Sequence, residues 1–199
     1  MKLSDYVTEF CQRYVKHIFL VTGGGAMHLN DSIGKYKMDV SMQHEQACAI
    51  AAEAYSRIAG LGVCCVTTGP GGTNALTGVA GAWLESTPML VLSGQVKRAD
   101  MINGKGVRQY GLQELPIVEI VKPITKYAAC VTEPNTIRYH LERAYHDATT
   151  GRCGPVWLDI PLDVQSAEIN PDKLIGFTLD EVETPSFKDE VQTFIKLLN

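Results

Sequence analysis

No window of this 199-residue chain has the length and apolarity of a membrane span, and the opening MKLSDYVTEF lacks the apolar stretch of a signal peptide. Lysine and arginine are scattered, never gathered into a run. With a net charge of −4 and a pI near 5.7, the chain has no electrostatic footprint for nucleic acid or for an anionic membrane surface. The six cysteines (Cys11, Cys48, Cys64, Cys65, Cys130, Cys153) form no CxxC pair and no zinc-type His/Cys spacing, so no metal site is expected of them. Cys64 and Cys65 are adjacent in an apolar run, where cysteine behaves as a small hydrophobe, and a reducing, cytoplasmic compartment is the simplest setting. A P-loop is absent. GxGxxG fails because His28 stands where its third glycine would be. There is no internal repeat and no low-complexity tract.

What the chain does have is a rhythm. Apolar runs of five to seven residues, HIFLVTG, GVCCVTT, PMLVLSG and GPVWLDIPLDV, alternate with helical patterns of about three or four turns. That alternation predicts βαβ units, and hence an α/β, doubly wound, mostly parallel sheet with helices on both faces. The spacing of Leu3, Val7, Phe10 and Cys11 predicts a first helix capped by Ser4. Further helices are expected from near Ala26, from His44 to about Ala59, through TNALTGVAGAWLES, over 113–121, and through EPNTIRYHLERAYHDATTG. After Asp163 the composition turns acidic and irregular, and FKDEVQTFIKLLN begins one more amphipathic helix.

Two strand-to-helix turns are rich in glycine, TGGGA at 22–26 and TGPGGTN at 68–74. Such turns admit a ligand to the backbone and aim helix N–H groups at it. On spacing alone, ligand contact and tight helix–strand packing explain them equally well. Glu45 opens an alanine-rich helix, where a carboxylate contributes about 0.5 kcal/mol through the helix dipole without any chemistry. Position by itself leaves Glu45 a solvated charge, His44 a hydrogen-bonding residue and Glu53 a structural one.

Read together, GGGA (23–26), HEQACAIAAEAYSRIAG (44–60), VTTGPGGTNALTGVAGAWLESTPMLVLSGQV (66–96), LQELPIVEIVKPITK (112–126) and TGRCGPVWLDIPLDVQ (150–165) keep one order and spacing. The chain resembles, over roughly residues 3–166, the N-terminal pyrimidine-binding domain of thiamine-diphosphate-dependent enzymes of the acetolactate synthase-like group. The resemblance implies the thiamine-diphosphate-binding fold and a catalytic role for Glu45. A carboxyl group there hydrogen-bonds N1′ of the aminopyrimidine and favours the tautomer that removes the weakly acidic thiazolium proton within the same cofactor. A proton shared in a dry pocket would raise its pKa. Gly24, Gly25 and Ala26 correspond to a loop at the reacting end of the cofactor. Gly69, Pro70, Gly71, Thr73 and Asn74 form the turn near the pyrimidine. Gln113 falls on a family glutamine near the substrate, and His28, just past the first turn, is a candidate acid or base with a helix-surface histidine as the alternative.

The implied reaction is decarboxylation of a small, pyruvate-like 2-keto acid followed by transfer of a carbon unit. The implied cofactors are thiamine diphosphate and Mg²⁺, with FAD in some relatives. The implied assembly is a homo-oligomer, at least a dimer, whose active site lies between subunits. The GDG motif that would hold diphosphate and Mg²⁺ is absent, so the chain is expected to be inactive alone. Gly23, Gln43 and Lys97 replace the proline, arginine and proline usual in acetolactate synthases, which leaves the substrate open. The expected organisation is a pyrimidine-binding domain over 1–166, a linker over 167–186, and the start of an incomplete central domain over 187–199. A separate pyrimidine-binding subunit of a two-chain decarboxylase of the sulfopyruvate type is the alternative, and a non-catalytic α/β binding domain a third reading. The intact mass of the native polypeptide, captured from its source with an antibody, separates the first two. A species several times heavier than 21.8 kDa is expected, and one near 21.8 kDa would favour the two-chain reading.

Overall fold

A computed structural model describes residues 1–179 and 187–198. The chain opens on α1 (Leu3–Gln12), then β1 (Ile18–Leu20), a 3-10 turn at Gly24–Ala26, α2 (Met27–Lys35) and β2 (Asp39–Ser41). Next come α3 (Glu45–Ala59), β3 (Gly62–Val66), α4 (Pro70–Asn74), α5 (Leu76–Leu84) and β4 (Met89–Gln95). After a long loop follow α6 (Ile117–Val121), β5 (Tyr127–Cys130), α7 (Ile137–Thr149), β6 (Pro155–Pro161) and the single turn α8 (Leu162–Gln165). α9 (Lys188–Leu198) is the amphipathic helix expected at the end of the sequence.

The strands form one six-stranded sheet in the order β2-β1-β3-β4-β6-β5, and every pairing is parallel. Because side chains alternate along a strand, each apolar run feeds two cores at once. Val63 and Cys65 of β3, Leu90 and Leu92 of β4, and Val156, Leu158 and Ile160 of β6 pack under α1, α2 and α7. Cys64, Val66, Met89, Val91 and Trp157 point the other way, under α3, α5 and α6. Burial drives the thiols of Cys64 and Cys65 far above the ordinary cysteine range, so both serve as apolar filling.

α3 is explained by its sequence: six of its residues are alanine, the best helix former, and Cys48, Ala49, Ala52 and Ser56 make its buried stripe. Its N-cap is His44, whose Nδ1 accepts from the Gln46 amide at 3.1 Å, and Gly60 closes it at φ 84°. Glu53 is structural, its Oε1 receiving Arg57 Nε at 2.7 Å and the Thr87 hydroxyl at 3.1 Å.

Three expectations need correction. α1 starts one residue before Ser4, which is buried with its Oγ 2.9 Å from Ser32 Oγ and caps nothing. The helix read through TNALTGVAGAWLES is two helices broken at Ala75, because the glycine turn before it tightens into its own short helix. The helix read over 113–121 occupies only Ile117–Val121, since Gln113 adopts φ 61° and Pro116 stands at its start.

The segment expected as a linker lies against the domain over its first part. Leu3 N donates to Ala167 O and Phe177 N to Glu142 Oε2, while Ile169 and Leu174 are buried. Residues 180–186 of that expected linker, and Asn199, lie outside the described residues.

At Gly62 a Cβ would stand 1.9 Å from the Ala52 carbonyl oxygen, so β3 and α3 meet without room for a side chain. Gly62→Ala is therefore expected to cost on the order of 3 kcal/mol by overpacking, read from the midpoint of chemical denaturation. An unchanged midpoint would show that the helix yields freely.

Candidate cofactor and active site

The strand order reverses between β1 and β3, and in open α/β sheets the crevice outside the carboxyl ends at such a reversal receives ligands. Both glycine turns lie there, the first after β1 and the second after β3. Glu45 arrives from β2 beside them, as the first residue of α3.

The Gly25 amide donates to Thr67 Oγ1 at 3.1 Å, and the Gly25 carbonyl accepts from Gln165 Nε2 at 2.7 Å. These bonds fix the first turn to the start of the second. On the far side of Thr67 lies Gly71, where a Cβ would fall 2.8 Å from Thr67 Cγ2 and 3.5 Å from Glu45 Oε1. Asn74 Nδ2 donates to Glu45 Oε2 at 3.0 Å. Glu45 is half-buried, with one oxygen engaged by an amide and the other facing a glycine that leaves the space before it open. Gly69 adopts φ 61°, and a Cβ there would collide at 2.0 Å with the Gln113 carbonyl oxygen, so the Gln113 loop rests directly on this turn.

A cavity of about 470 Å³ opens between the turns, lined by Gly24, Gly25, Thr68, Gln95, Lys97 and Gln113 among others. The candidates thus divide. Glu45, Gly71 and Asn74 form one group, which does not line the cavity; Gly24, Gly25 and Gln113 line it; Ala26 is fully buried. Pro70 is exposed at the first position of α4, and the Thr73 hydroxyl bonds back to the Pro70 carbonyl at 3.2 Å. His28 is half-buried on α2 and does not line the cavity.

Sequence reading passed over Thr67 and Thr68. Thr67 is the hydroxyl to which the first turn is tied, and Thr68 Oγ1 is buried without a hydrogen-bond partner against Gly25. The signal was the Thr-Thr pair ahead of the second glycine turn. The chemistry of these groups suits the edge of a nitrogen heterocycle. A carboxylate at a helix N-terminus faces a glycine cradle that any larger side chain would fill, and an orphaned hydroxyl stands nearby. Among the described residues no group of three or more His, Cys, Asp or Glu could hold a metal ion. None of the described helices is long and apolar enough to cross a membrane.

A family model described as "Thiamine pyrophosphate enzyme, N-terminal TPP binding domain" matches residues 1–120. The chain belongs to this family. Among curated relatives, the acetolactate synthase of Arthrospira platensis is 40% identical over 163 residues, covering 78% of this chain and 27% of that protein. The acetolactate synthase large subunit of Corynebacterium glutamicum is 37% identical, covering 91% of this chain and 29% of its own. The probable acetolactate synthase large subunit of Methanocaldococcus jannaschii is 39% identical, covering 80% and 26%. The thiamine-diphosphate-binding domain described here therefore spans under a third of the length of these relatives.

Beside the cavity lies a second carboxyl group that sequence reading did not single out. Asp159, on β6, is 2% exposed and accepts from Ser93 Oγ and from Gln95 Nε2 at 2.9 Å, while Trp157 Nε1 donates to Ser93 Oγ at 2.7 Å. Burial pushes its pKa up to about 7 against the opposing pull of Ser93, Gln95 and Cys130. With the folded value above the unfolded one, its contribution to stability is complete below about pH 4 and is lost as pH rises through about 7. The stability of the parent chain relative to Asp159→Asn should therefore rise by on the order of 3 kcal/mol on going from pH 8 to pH 4. Denaturation of both proteins across that range checks it, and parallel curves would refute it.

Proposed function

We propose that this domain holds the aminopyrimidine half of thiamine diphosphate in an acetolactate synthase-like enzyme. The enzyme decarboxylates a pyruvate-like 2-keto acid and transfers the remaining carbon unit. The observation that carries this reading is the Glu45 carboxylate, fixed on one oxygen by Asn74 and open on the other across Gly71. When bound, the cofactor supplies the electron sink that makes loss of carbon dioxide accessible.

The residues of this chain do the rest. Glu45 holds and returns a proton at the pyrimidine nitrogen N1′, and Asn74 keeps the carboxylate turned toward that position. Gly71 keeps the space before Glu45 free, and Gly69 lets the Gln113 loop settle on the same turn. Gly24, Gly25 and Gln113 border the cavity in which a 2-keto acid would be enclosed. The diphosphate and Mg²⁺ would be held by residues outside this chain, so the domain alone would be inactive and the working enzyme a homo-oligomer of at least two subunits. Free cysteines throughout the described chain support a reducing, cytoplasmic setting.

Glu45→Gln in the full-length enzyme keeps the shape and the contact with Asn74 but removes the exchangeable proton. Turnover of pyruvate is expected to fall by about 10²–10⁴-fold with far-UV circular dichroism unchanged. Undiminished turnover would end the assignment of Glu45.

A further inference from the structure

We propose that Asp159 is a positioning residue, fixing the 111–116 loop over the second glycine turn through the side chain of Gln95. The inference rests on the functional reading above for the importance of that loop, but its geometry stands independently.

Gln95 is the last residue of β4 and is held at both ends of its amide. Its Oε1 accepts from the Val96 amide at 2.9 Å, and its Nε2 donates to Asp159 Oδ2 at 2.9 Å and to the Leu115 carbonyl at 3.3 Å. Leu115 lies two residues from Gln113, whose backbone sits at φ 61° with its carbonyl over Gly69. A non-glycine residue keeps such a conformation only where its surroundings over-determine it. The loop is also held by Glu114, which accepts from the Ile102 and Gly111 amides, by the Gly111 carbonyl, which accepts from Gln109 Nε2 and the Glu114 amide, and by the Leu115 carbonyl, which accepts from Ile117 N. Among the described residues, Gln95 is the strand residue whose side chain hydrogen-bonds the loop, and Asp159 aims it.

The carboxyl group is surrounded by donors. Ser93, itself accepting from Trp157, turns its hydrogen toward Oδ1; Gln95 reaches Oδ2; and Cys130 on β5 adds its thiol. The cavity of about 480 Å³ on which the group opens carries Arg108, Glu114 and Glu119 as its other charged residues, and Glu114 is occupied by the two loop amides. The ionised carboxylate satisfies every one of these donors. A proton on either oxygen makes the group a poorer acceptor for Ser93 and Gln95 and adds an O–H that itself needs an acceptor among these donors. Burial places the exchange between the two forms near neutrality, at about 7. The loop should accordingly be held more firmly above pH 7 than below it.

Amide hydrogen exchange of residues 111–116 in the full-length protein, without added cofactor, tests this. With intrinsic rates corrected for pH, protection in the parent protein should be several-fold higher at pH 8 than at pH 6, toward the roughly tenfold limit of one pH unit. In Asp159→Asn that difference should vanish while the protection of β4 persists. Gln95→Leu, which leaves the carboxyl group in place, should lose both the difference and most of the loop's protection. In the same proteins kcat/KM for pyruvate should climb through pH 7 in the parent and lose that limb in Asp159→Asn. Equal protection of the loop at both pH values in the parent, or a difference that survives in Asp159→Asn or in Gln95→Leu, overturns the proposal. The functional reading fails separately: pyruvate turnover indifferent to Glu45→Gln would remove it while leaving the exchange result intact.

Discussion

The Gly25 amide donates to the Thr67 hydroxyl at 3.1 Å, and this bond sets the spacing between the loops that follow β1 and β3. The rest of the carboxyl edge is built around how near the first turn can come. Gln165, buried at the end of α8, reaches the Gly25 carbonyl from the other side. A Cβ on Gly94 would stand 2.0 Å from that same carbonyl oxygen, so β4 too must pass without a side chain. β1, β3, β4 and the segment after β6 therefore converge on one peptide. The space left between them is the cavity that Gly24 and Gln113 share.

Two carboxyl groups serve this edge under opposite conditions. Glu45 stands at the start of a helix, half-exposed, with one amide partner and an open oxygen. Asp159 is enclosed by a hydroxyl, an amide and a thiol and is lifted toward neutrality by burial. The first is placed to exchange a proton with something that enters; the second is placed to act on its neighbours only. Environment, not residue type, separates the two roles.

The fold was legible because an all-parallel sheet, buried on both faces, writes its central strands as apolar runs, followed after β1 and β3 by a glycine turn. The strands βαβ reading placed from HIFLVTG to GPVWLDIPLDV are all in the sheet. Boundaries failed where tertiary packing overrode local pattern. Ser4 has the chemistry of a cap, but the space beside Ser32 took it inward. Gln113 sits in a segment of helical composition, but the approach to Gly69 turned its backbone over. At the site, Glu45 and the glycine turns could be named from motif order. The Asn74–Glu45 bond, the Thr67 tie and the Asp159 network could not, because each joins residues at least 29 positions apart. No periodicity encodes such pairs.

The domain's first helix is fastened by its far end: the Met1 amine and carbonyl meet Ile169, and the Leu3 amide meets Ala167. The central strand β4 likewise finds its partner β6 only after 66 residues, with Met89 opposite Pro155. Loop closure on that scale slows folding. α1 meets α2 early in the chain, but the core that Leu3, Val7 and Phe10 share with α7 and β6 closes only once those later elements are made. The topology that brings four loops onto one peptide thus leaves apolar strand surface open until β6 is made, the kind of partly formed core that is prone to aggregate.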